Sequence, residues 1–193
     1  MNSQRINALF LTILGAVLFF VVWFIDAGKL PERWSASQSV PGEYEIRLDK
    51  DVFRTGKASV CIRSKTDNPK GFANFYQEFM AIKYRGRRVH MEAYVKTSIS
   101  AGTAHLWLET YGPEGKRLSL DDMPERRMTG TTGWTKYDLV LDVPKEAQKI
   151  AFGFIFSGKG QAWIDDFSFQ SVVGNIPVAA PDSLEGPVNL GFE

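Results

Sequence analysis

Alternation of apolar and polar residues with a period of two limits the fold of this chain more than any other feature. Successive side chains of a β-strand point to opposite faces of the sheet, so such alternation predicts strands with one buried face. No segment after residue 26 sustains a helical period for three turns. The alternating runs cover residues 44–48, 58–63, 88–95, 104–109, 136–143, 150–156 and 163–169.

Turn-forming residues separate these runs. Examples are Asn68-Pro69, Gly112-Pro113 and the glycine-rich segment 157–160. About seven to nine short strands joined by turns at this spacing are typical of two-layered antiparallel folds. We therefore predict an all-β fold, a jelly-roll β-sandwich, for the part of the chain that follows the N-terminal segment.

The N-terminal segment contains an uncharged run, residues 6–25, between Arg5 and Asp26. A helix rises about 1.5 Å per residue, so a helix of this length spans about 30 Å, the thickness of the hydrocarbon core of a bilayer. We predict one N-terminal transmembrane helix that anchors the protein in the cytoplasmic membrane. A cleaved signal peptide and a buried helix remain alternatives. The short tail before the span favours a soluble domain on the extracytoplasmic side.

Composition excludes several classes of function. Lys and Arg total 23 and Asp and Glu total 22, so no excess of positive charge predicts a nucleic-acid partner. The single cysteine, Cys61, excludes an intramolecular disulfide. The chain has no nucleophile elbow, phosphate-binding loop or HExxH motif. We therefore predict that the protein is not an enzyme.

Short runs in a fixed order indicate a particular kind of jelly roll. Two of them are Gly130-Thr-Thr-Gly-Trp-Thr-Lys-Tyr137 and Trp163-Ile-Asp-Asp-Phe167, and others cover residues 84–89, 93–97 and 150–153. Together they resemble the galactose-binding-like domains related to carbohydrate-binding modules, of the variety appended to bacterial regulators and hydrolases. The resemblance covers about residues 41–172 and implies a non-catalytic binding domain.

The resemblance also implies a structural calcium site, because related domains use carboxylates at comparable positions. The residues that it indicates here are Asp165, Asp166 and Glu193. The run 189–193 then corresponds to a permuted first strand, delivered by the Pro-rich connector 173–188. Alternatively, the two aspartates only flank a buried strand and Glu193 belongs to a frayed terminus.

Strand parity predicts a ligand-binding face. In two of the alternating runs, aromatic and titratable side chains share the face opposite the aliphatic one. Aromatic planes beside carboxylates are suited to bind sugar rings and their hydroxyls. Alternatively, a loop covers this face, it is ordinary solvated sheet, or it packs on the partner sheet; the histidines and glutamates could also bind zinc. The candidate residues are His90, Glu92, Tyr94, His105, Trp107 and Glu109.

These predictions combine into one functional hypothesis. A membrane-anchored, non-catalytic domain binds a glycan or a similar polar ligand outside the cytoplasmic membrane. The alternatives are an envelope protein–protein interaction domain without sugar binding and an accessory domain of a hydrolase system. The predicted division is a tail and anchor, a juxtamembrane segment, the sandwich, the connector and the terminal strand, at residues 1–26, 27–40, 41–172, 173–188 and 189–193.

Overall fold

The structure is a computed structural model, and it describes residues 30–172 and 186–192 together with the backbone of Trp23–Phe24. The predicted anchor and most of the predicted connector fall outside these residues, as does Glu193. Within the described part, no helix is long and apolar enough to cross a membrane.

The prediction of an all-β fold is confirmed. In the described ranges the chain forms strands joined by loops and a single-turn 3-10 helix, Pro113–Gly115. The strands are β1 (Trp23–Phe24), β2 (Ser35–Gln38), β3 (Tyr44–Asp49), β4 (Ser59–Ser64), β5 (Phe72–Met80), β6 (Arg88–Tyr111), β7 (Arg117–Asp121), β8 (Thr131–Asp142) and β9 (Lys149–Ser171).

Two long strands, β6 and β9, form one antiparallel ribbon that belongs to both layers of the sandwich. Residues 103–111 of β6 and 149–157 of β9 lie between β7 and β5, with β2 and β1 beyond β5. We call this the front layer. Residues 88–98 of β6 and 160–171 of β9 lie between β8 and β4, with β3 beyond β4, and form the back layer.

Aromatic contacts within β9 show that the two layers pack face to face. The ring centroid of Phe152 in the front layer lies 5.6 Å from that of Phe167 and 5.6 Å from that of Phe169, both in the back layer. Since all three residues belong to one strand, β9 must fold back over the core between them. The space between the layers is therefore the hydrophobic core.

Glycines make the bend of the ribbon possible. Gly102 and Gly158 adopt φ values of 95° and 115°, which side chains with a Cβ rarely accept. A Cβ on Gly158 would lie 2.1 Å from the carbonyl oxygen of Ala101. The Gly158 N–H donates to the Tyr44 hydroxyl oxygen over 2.8 Å, which ties the bend to β3.

The core contains the residues that the alternation predicted. Phe152, Phe154 and Leu139 are all buried, as expected from their positions on the apolar face of the alternating runs. Trp34, which precedes β2, stacks on Phe75 of β5 with ring centroids 4.4 Å apart. The core is thus rich in aromatic rings, which prefer such stacked and edge-to-face contacts.

The C-terminal segment 186–192 packs on the sandwich, but it is not the strand that we predicted. Residues 190–191 form a turn, and the segment has no ladder partner in the described structure. Hydrogen bonds hold it, from the Phe167 N–H to the Leu190 carbonyl (3.1 Å) and from Trp34 Nε1 to the Asn189 carbonyl (3.1 Å). The Gln77 side chain also donates to the Val188 carbonyl over 2.9 Å and accepts from the Val188 N–H over 2.8 Å. Positive φ values at Asn189 and Phe192 curl the backbone away from an extended path, so pairing cannot continue. Phe192 is nevertheless buried, and Leu190 is partly buried against the core.

Candidate functional site

The structure divides the predicted ligand face into two separate surfaces. Both groups belong to β6, but the ribbon bends between them, so one group lies in each layer. Their side chains point to the face of the strand opposite to that of the core residues. The outer faces of the two layers point away from each other. The six residues therefore do not form one patch. His90, Glu92 and Tyr94 lie on the outer face of the back layer, and His105, Trp107 and Glu109 on that of the front layer.

Trp107 lies outside the inter-layer core, on the outer face of the front layer, yet it is only 8% exposed. Its Nε1 donates to Asn74 Oδ1 over 2.9 Å, and its ring lies 6.4 Å from that of Tyr76 on the neighbouring strand β5. Gly153, between these two residues in the sheet, has no side chain to separate them. Trp107 thus packs along the sheet surface instead of presenting a free ring face.

Glu109 is engaged by its neighbours on the same outer face. It accepts a hydrogen bond from the Tyr111 hydroxyl and another from Arg117 Nη1 over 3.1 Å. Burial, together with the hydrogen bond to Glu109, raises the pKa of Tyr111 above its ordinary value. This carboxylate is therefore committed to internal contacts.

Burial strongly lowers the pKa of His105. It is 9% exposed, and its Nδ1 has no hydrogen-bond partner. Burial, reinforced by the nearby charge of Arg127 and only partly opposed by Asp122, lowers the pKa of His105 to about 4. The imidazole is therefore neutral at neutral pH.

A pH dependence of stability follows from the lowered pKa of His105. The ordinary pKa of histidine is 6.5, so on acidification the unfolded state takes up this proton before the folded state does. The stabilisation is fully present above pH 6.5 and is lost as the pH falls toward 4. We expect the free energy of unfolding to drop by about 2–3 kcal/mol between pH 7 and 4.5 from this group alone.

Urea unfolding at the two pH values measures this effect. In His105→Gln, which keeps a polar side chain that does not titrate, the drop should be smaller by that amount. Equal drops in the variant and the parent protein would show that His105 does not cause the acid sensitivity.

The back-layer group is covered or paired. The guanidinium of Arg54 lies over the Tyr94 ring, with Cζ 3.5 Å from its centroid. Glu92 pairs with Lys136 Nζ at 3.3 Å. His90 Nε2 lies 3.4 Å from Asp138 Oδ2, across the β6–β8 pairing. These contacts place a cation on the Tyr94 ring and engage Glu92 and His90 in pairs with their neighbours.

The two aspartates predicted to bind calcium hold a loop in place. Asp165 Oδ2 accepts the Arg54 N–H over 2.7 Å, and Asp166 Oδ2 accepts from Arg54 Nη1 over 2.6 Å. Burial raises the pKa of Asp165 against the opposing effect of its backbone N–H donors. Carboxylate oxygens surrounded by N–H donors and a guanidinium do not fit a cation that needs six or more oxygen ligands. The third predicted ligand, Glu193, lies outside the described residues.

Metal and thiol chemistry have little support in the described ranges. Residues 30–172 and 186–192 contain no cluster of three His, Cys, Asp or Glu side chains that could hold a metal ion. Cys61 is buried, and this burial raises the pKa of its thiol to about 12. The thiol therefore stays protonated at neutral pH and is a poor nucleophile.

A polar pocket of about 500 Å³ opens where the ribbon bends out of the back layer. We call it the corner pocket. Its floor follows one row of outward positions across the back layer, in which Arg63 pairs with Gln161 and Gln161 with Ser98. Its wall is the loop that follows β4. The lining residues on which the later argument rests are Arg63, Lys65, Asp67, Ser98, Lys159 and Gln161.

Sequence reasoning missed this pocket because its residues come from four separate stretches of chain. Parity places Arg63, Ser98 and Gln161 on outward faces, but only the register brings them into one row. The glycine-rich segment 157–160 was a signal for the bend, although we read it only as a turn. The pocket forms because the ribbon bends there instead of ending.

No known protein family matches this chain. A curated relative, the uncharacterized HTH-type transcriptional regulator YbfP of Bacillus subtilis (strain 168), is 36% identical over 170 residues. The match covers 86% of this chain and 58% of the relative. The chain thus spans less than two thirds of that protein's length.

The prediction of an extracytoplasmic domain on the cytoplasmic membrane is wrong. The finding that overturns it is the relative's name, an HTH-type transcriptional regulator. Helix-turn-helix regulators bind DNA, which lies on the cytoplasmic side of the membrane. Within residues 6–25 the structure describes only the backbone of Trp23–Phe24, which pairs with β2 as strand β1.

Solved structures similar to this chain include domains that the sequence resemblance indicated. The CBM22-1 xylan-binding domain from Paenibacillus barcinonensis Xyn10C superimposes with a TM-score of 0.52 at 13% identity, covering 74% of this chain and 87% of that chain. The enzymatically active domain of tailspike protein 4 of Bacteriophage CBA120 gives 0.57 at 19%, covering 73% of this chain and 20% of that chain. At such identities the likeness concerns the fold alone. The predicted resemblance is therefore confirmed at that level: this chain folds as a β-sandwich of the carbohydrate-binding-module kind.

Proposed function

We propose that this sandwich is a non-catalytic domain that binds a carbohydrate in the corner pocket. The observation that carries the proposal is the pocket itself, an open site of about 500 Å³ whose lining residues are mostly polar or charged. Small-molecule sites commonly enclose about 300–1,000 Å³, which suits one or two sugar units here.

The lining chemistry supports a sugar more than an apolar ligand. Ser98, Thr131 and Ser64 carry hydroxyls, and Gln161 carries an amide that both donates and accepts hydrogen bonds. Sugar hydroxyls also donate and accept, so each can be matched by such a group. The name of one structural neighbour, a xylan-binding domain, agrees with this ligand class.

The front-layer face around Trp107 is the second candidate site. Its aromatic pair, Tyr76 and Trp107, favours it, since sugar rings stack on aromatic planes. The small exposure of Trp107 disfavours it, because a sugar would first have to displace its neighbours. We therefore rank the corner pocket above this face.

The relative's name supports a role in regulation. A regulator needs a part that recognises its signal and a part that acts on DNA. The described residues of this chain contain no α-helix, so they supply no helix-turn-helix and are suited to the recognition task. We propose that ligand binding by this sandwich provides the signal in such a protein.

Isothermal titration calorimetry on the full chain tests the carbohydrate proposal. Xylohexaose, a galactose oligomer and a galacturonic acid oligomer are the probes. We expect micromolar to millimolar affinity for at least one of them, because a shallow site desolvates few atoms. Gln161→Ala should weaken binding about tenfold, the effect of losing a hydrogen-bonding partner in the site.

Trp107→Phe is the matched variant for the other face, and it should leave the affinity unchanged. The reverse result, with binding lost in Trp107→Phe and kept in Gln161→Ala, would move the site to the front layer. Absence of heat with every sugar would overturn the carbohydrate proposal.

A further inference from the structure

We infer that the corner pocket selects acidic saccharides, those with a carboxylate such as uronic acids. This inference rests on the proposed function and names the ligand class of the same site. It is drawn from the three cations that line the pocket and from the exposure of the ion pairs that two of them make.

Three cations line the pocket, Arg63, Lys65 and Lys159, against a single carboxylate, Asp67. Lys159 Nζ pairs with Asp67 Oδ1 at 2.7 Å, but the Asp67 side chain is 93% exposed. Arg63 Nη2 pairs with Glu45 Oε2 at 2.8 Å, again near the surface. Exposed ion pairs of this kind contribute little, so a ligand anion can compete for both cations.

Lys65 gives the pocket its excess of positive charge. In the part of the chain that the structure describes, no carboxylate pairs with its ammonium group. A pocket with more cations than anions concentrates negative ligands and discriminates against positive ones. When the pairs Lys159–Asp67 and Arg63–Glu45 are set aside, the Lys65 ammonium group remains as one positive charge. A carboxylate on the ligand carries one negative charge and would balance it.

The floor of the pocket is rigid enough to place a sugar ring beside these charges. The Gly160 N–H donates to Ser64 Oγ over 3.0 Å, which fastens the end of β4 to β9. Gly160 has φ of 129°, and a Cβ there would lie 2.2 Å from the Ser98 carbonyl oxygen. A glycine at this point therefore lets β6 and β9 approach closely and leaves the floor free of a side chain.

A carboxylate fits this site better than a phosphate does. Phosphates are usually bound by several backbone N–H groups at a helix N-terminus or in a glycine-rich loop. The side chains of the lining residues supply a guanidinium, two ammonium groups, hydroxyls and one amide as donors. A guanidinium can hold a carboxylate through two parallel hydrogen bonds, while the hydroxyls and the amide match the remaining sugar hydroxyls.

Calorimetry with a galacturonic acid oligomer and the galactose oligomer of equal length tests the inference on the full chain. We expect the acidic oligomer to bind at least about tenfold more tightly at low salt, the effect of one charge-assisted hydrogen bond. The difference should shrink as salt rises, because exposed charges are screened.

Variants separate charge recognition from general damage to the site. Lys65→Gln and Arg63→Gln should each weaken binding of the acidic oligomer and leave the neutral one nearly unchanged. Lys70→Gln, an exposed lysine of the same loop that does not line the pocket, should affect neither. Asp67→Asn should strengthen acidic binding, since it removes the competing carboxylate, and a merely disrupted pocket would not gain affinity.

The outcomes distinguish this inference from the proposed function. Equal affinity for both oligomers would overturn acid selectivity while the carbohydrate proposal stands. An effect of Lys70→Gln as large as that of Lys65→Gln would also overturn it, since attraction would then be nonspecific. Failure of both oligomers and of xylohexaose to bind would overturn the proposed function itself.

Discussion

Phe154→Ala is expected to lower the free energy of unfolding by about 3–5 kcal/mol, through lost apolar burial and the cavity left behind. Phe154 is fully buried in the centre of β9, where β5 pairs with it on one side and β6 on the other. Its ladder partners, Phe75 and Leu106, are also fully buried, and strands on both sides keep them from closing the gap. Thermal unfolding should show a midpoint about 10 °C lower for a chain of this size.

Val140→Ala is the matched control for this prediction. Val140 also lies within a long strand, β8, but its side chain points outward and is well exposed. Its replacement should change stability by no more than about 0.5 kcal/mol. If the two variants unfolded at the same temperature, the inward and outward faces would have been exchanged.

The sequence predicted well which side chains of a single strand face the core and which face outward. The burial of Phe152, Phe154 and Leu139 follows from alternation alone, because a strand of half-buried sheet has only two faces. The same rule placed Trp107 outside the core. Each of these conclusions needs only local information.

Pairing between strands was beyond sequence reasoning, and it decides the site. We treated the runs around residues 90 and 107 as two strands whose equivalent faces would coincide. They are one strand, β6, which bends at Gly102 and enters both layers. Because of the bend, His90 and Trp107 lie on opposite surfaces of the sandwich. The corner pocket opens where the ribbon leaves the back layer.

The alternation of side chains along a strand also does not predict whether a loop covers its outer face. Tyr94 has the outward position that we predicted, yet Arg54, from the loop after β3, lies on its ring. The same loop engages Asp165 and Asp166, which were predicted to bind calcium. Such contacts depend on how a turn folds back in space, and neither composition nor spacing encodes it.

Phe192→Ala is expected to cost about 3 kcal/mol, a large effect for a residue next to the chain terminus. Its side chain is 2% exposed. Its ring makes edge-on contacts with Trp34, Phe75 and Phe167, with centroids 5.4, 5.7 and 6.1 Å away. The described segment has no strand ladder to hold it, so this packing acts together with a few hydrogen bonds, among them the pair between Gln77 and Val188. Urea unfolding measures the loss, and the emission of Trp34 should shift to longer wavelength as water reaches the indole.

Val172→Ala provides the comparison, since Val172 follows the last strand and is more than half exposed. We expect it to change the free energy of unfolding by no more than about 0.5 kcal/mol. A frayed terminus would give the same small value for Phe192→Ala, and that result would contradict the docking of residues 186–192. A large loss would instead establish that the C-terminal segment completes the core beside Trp34, because no other residue of that segment is as deeply buried.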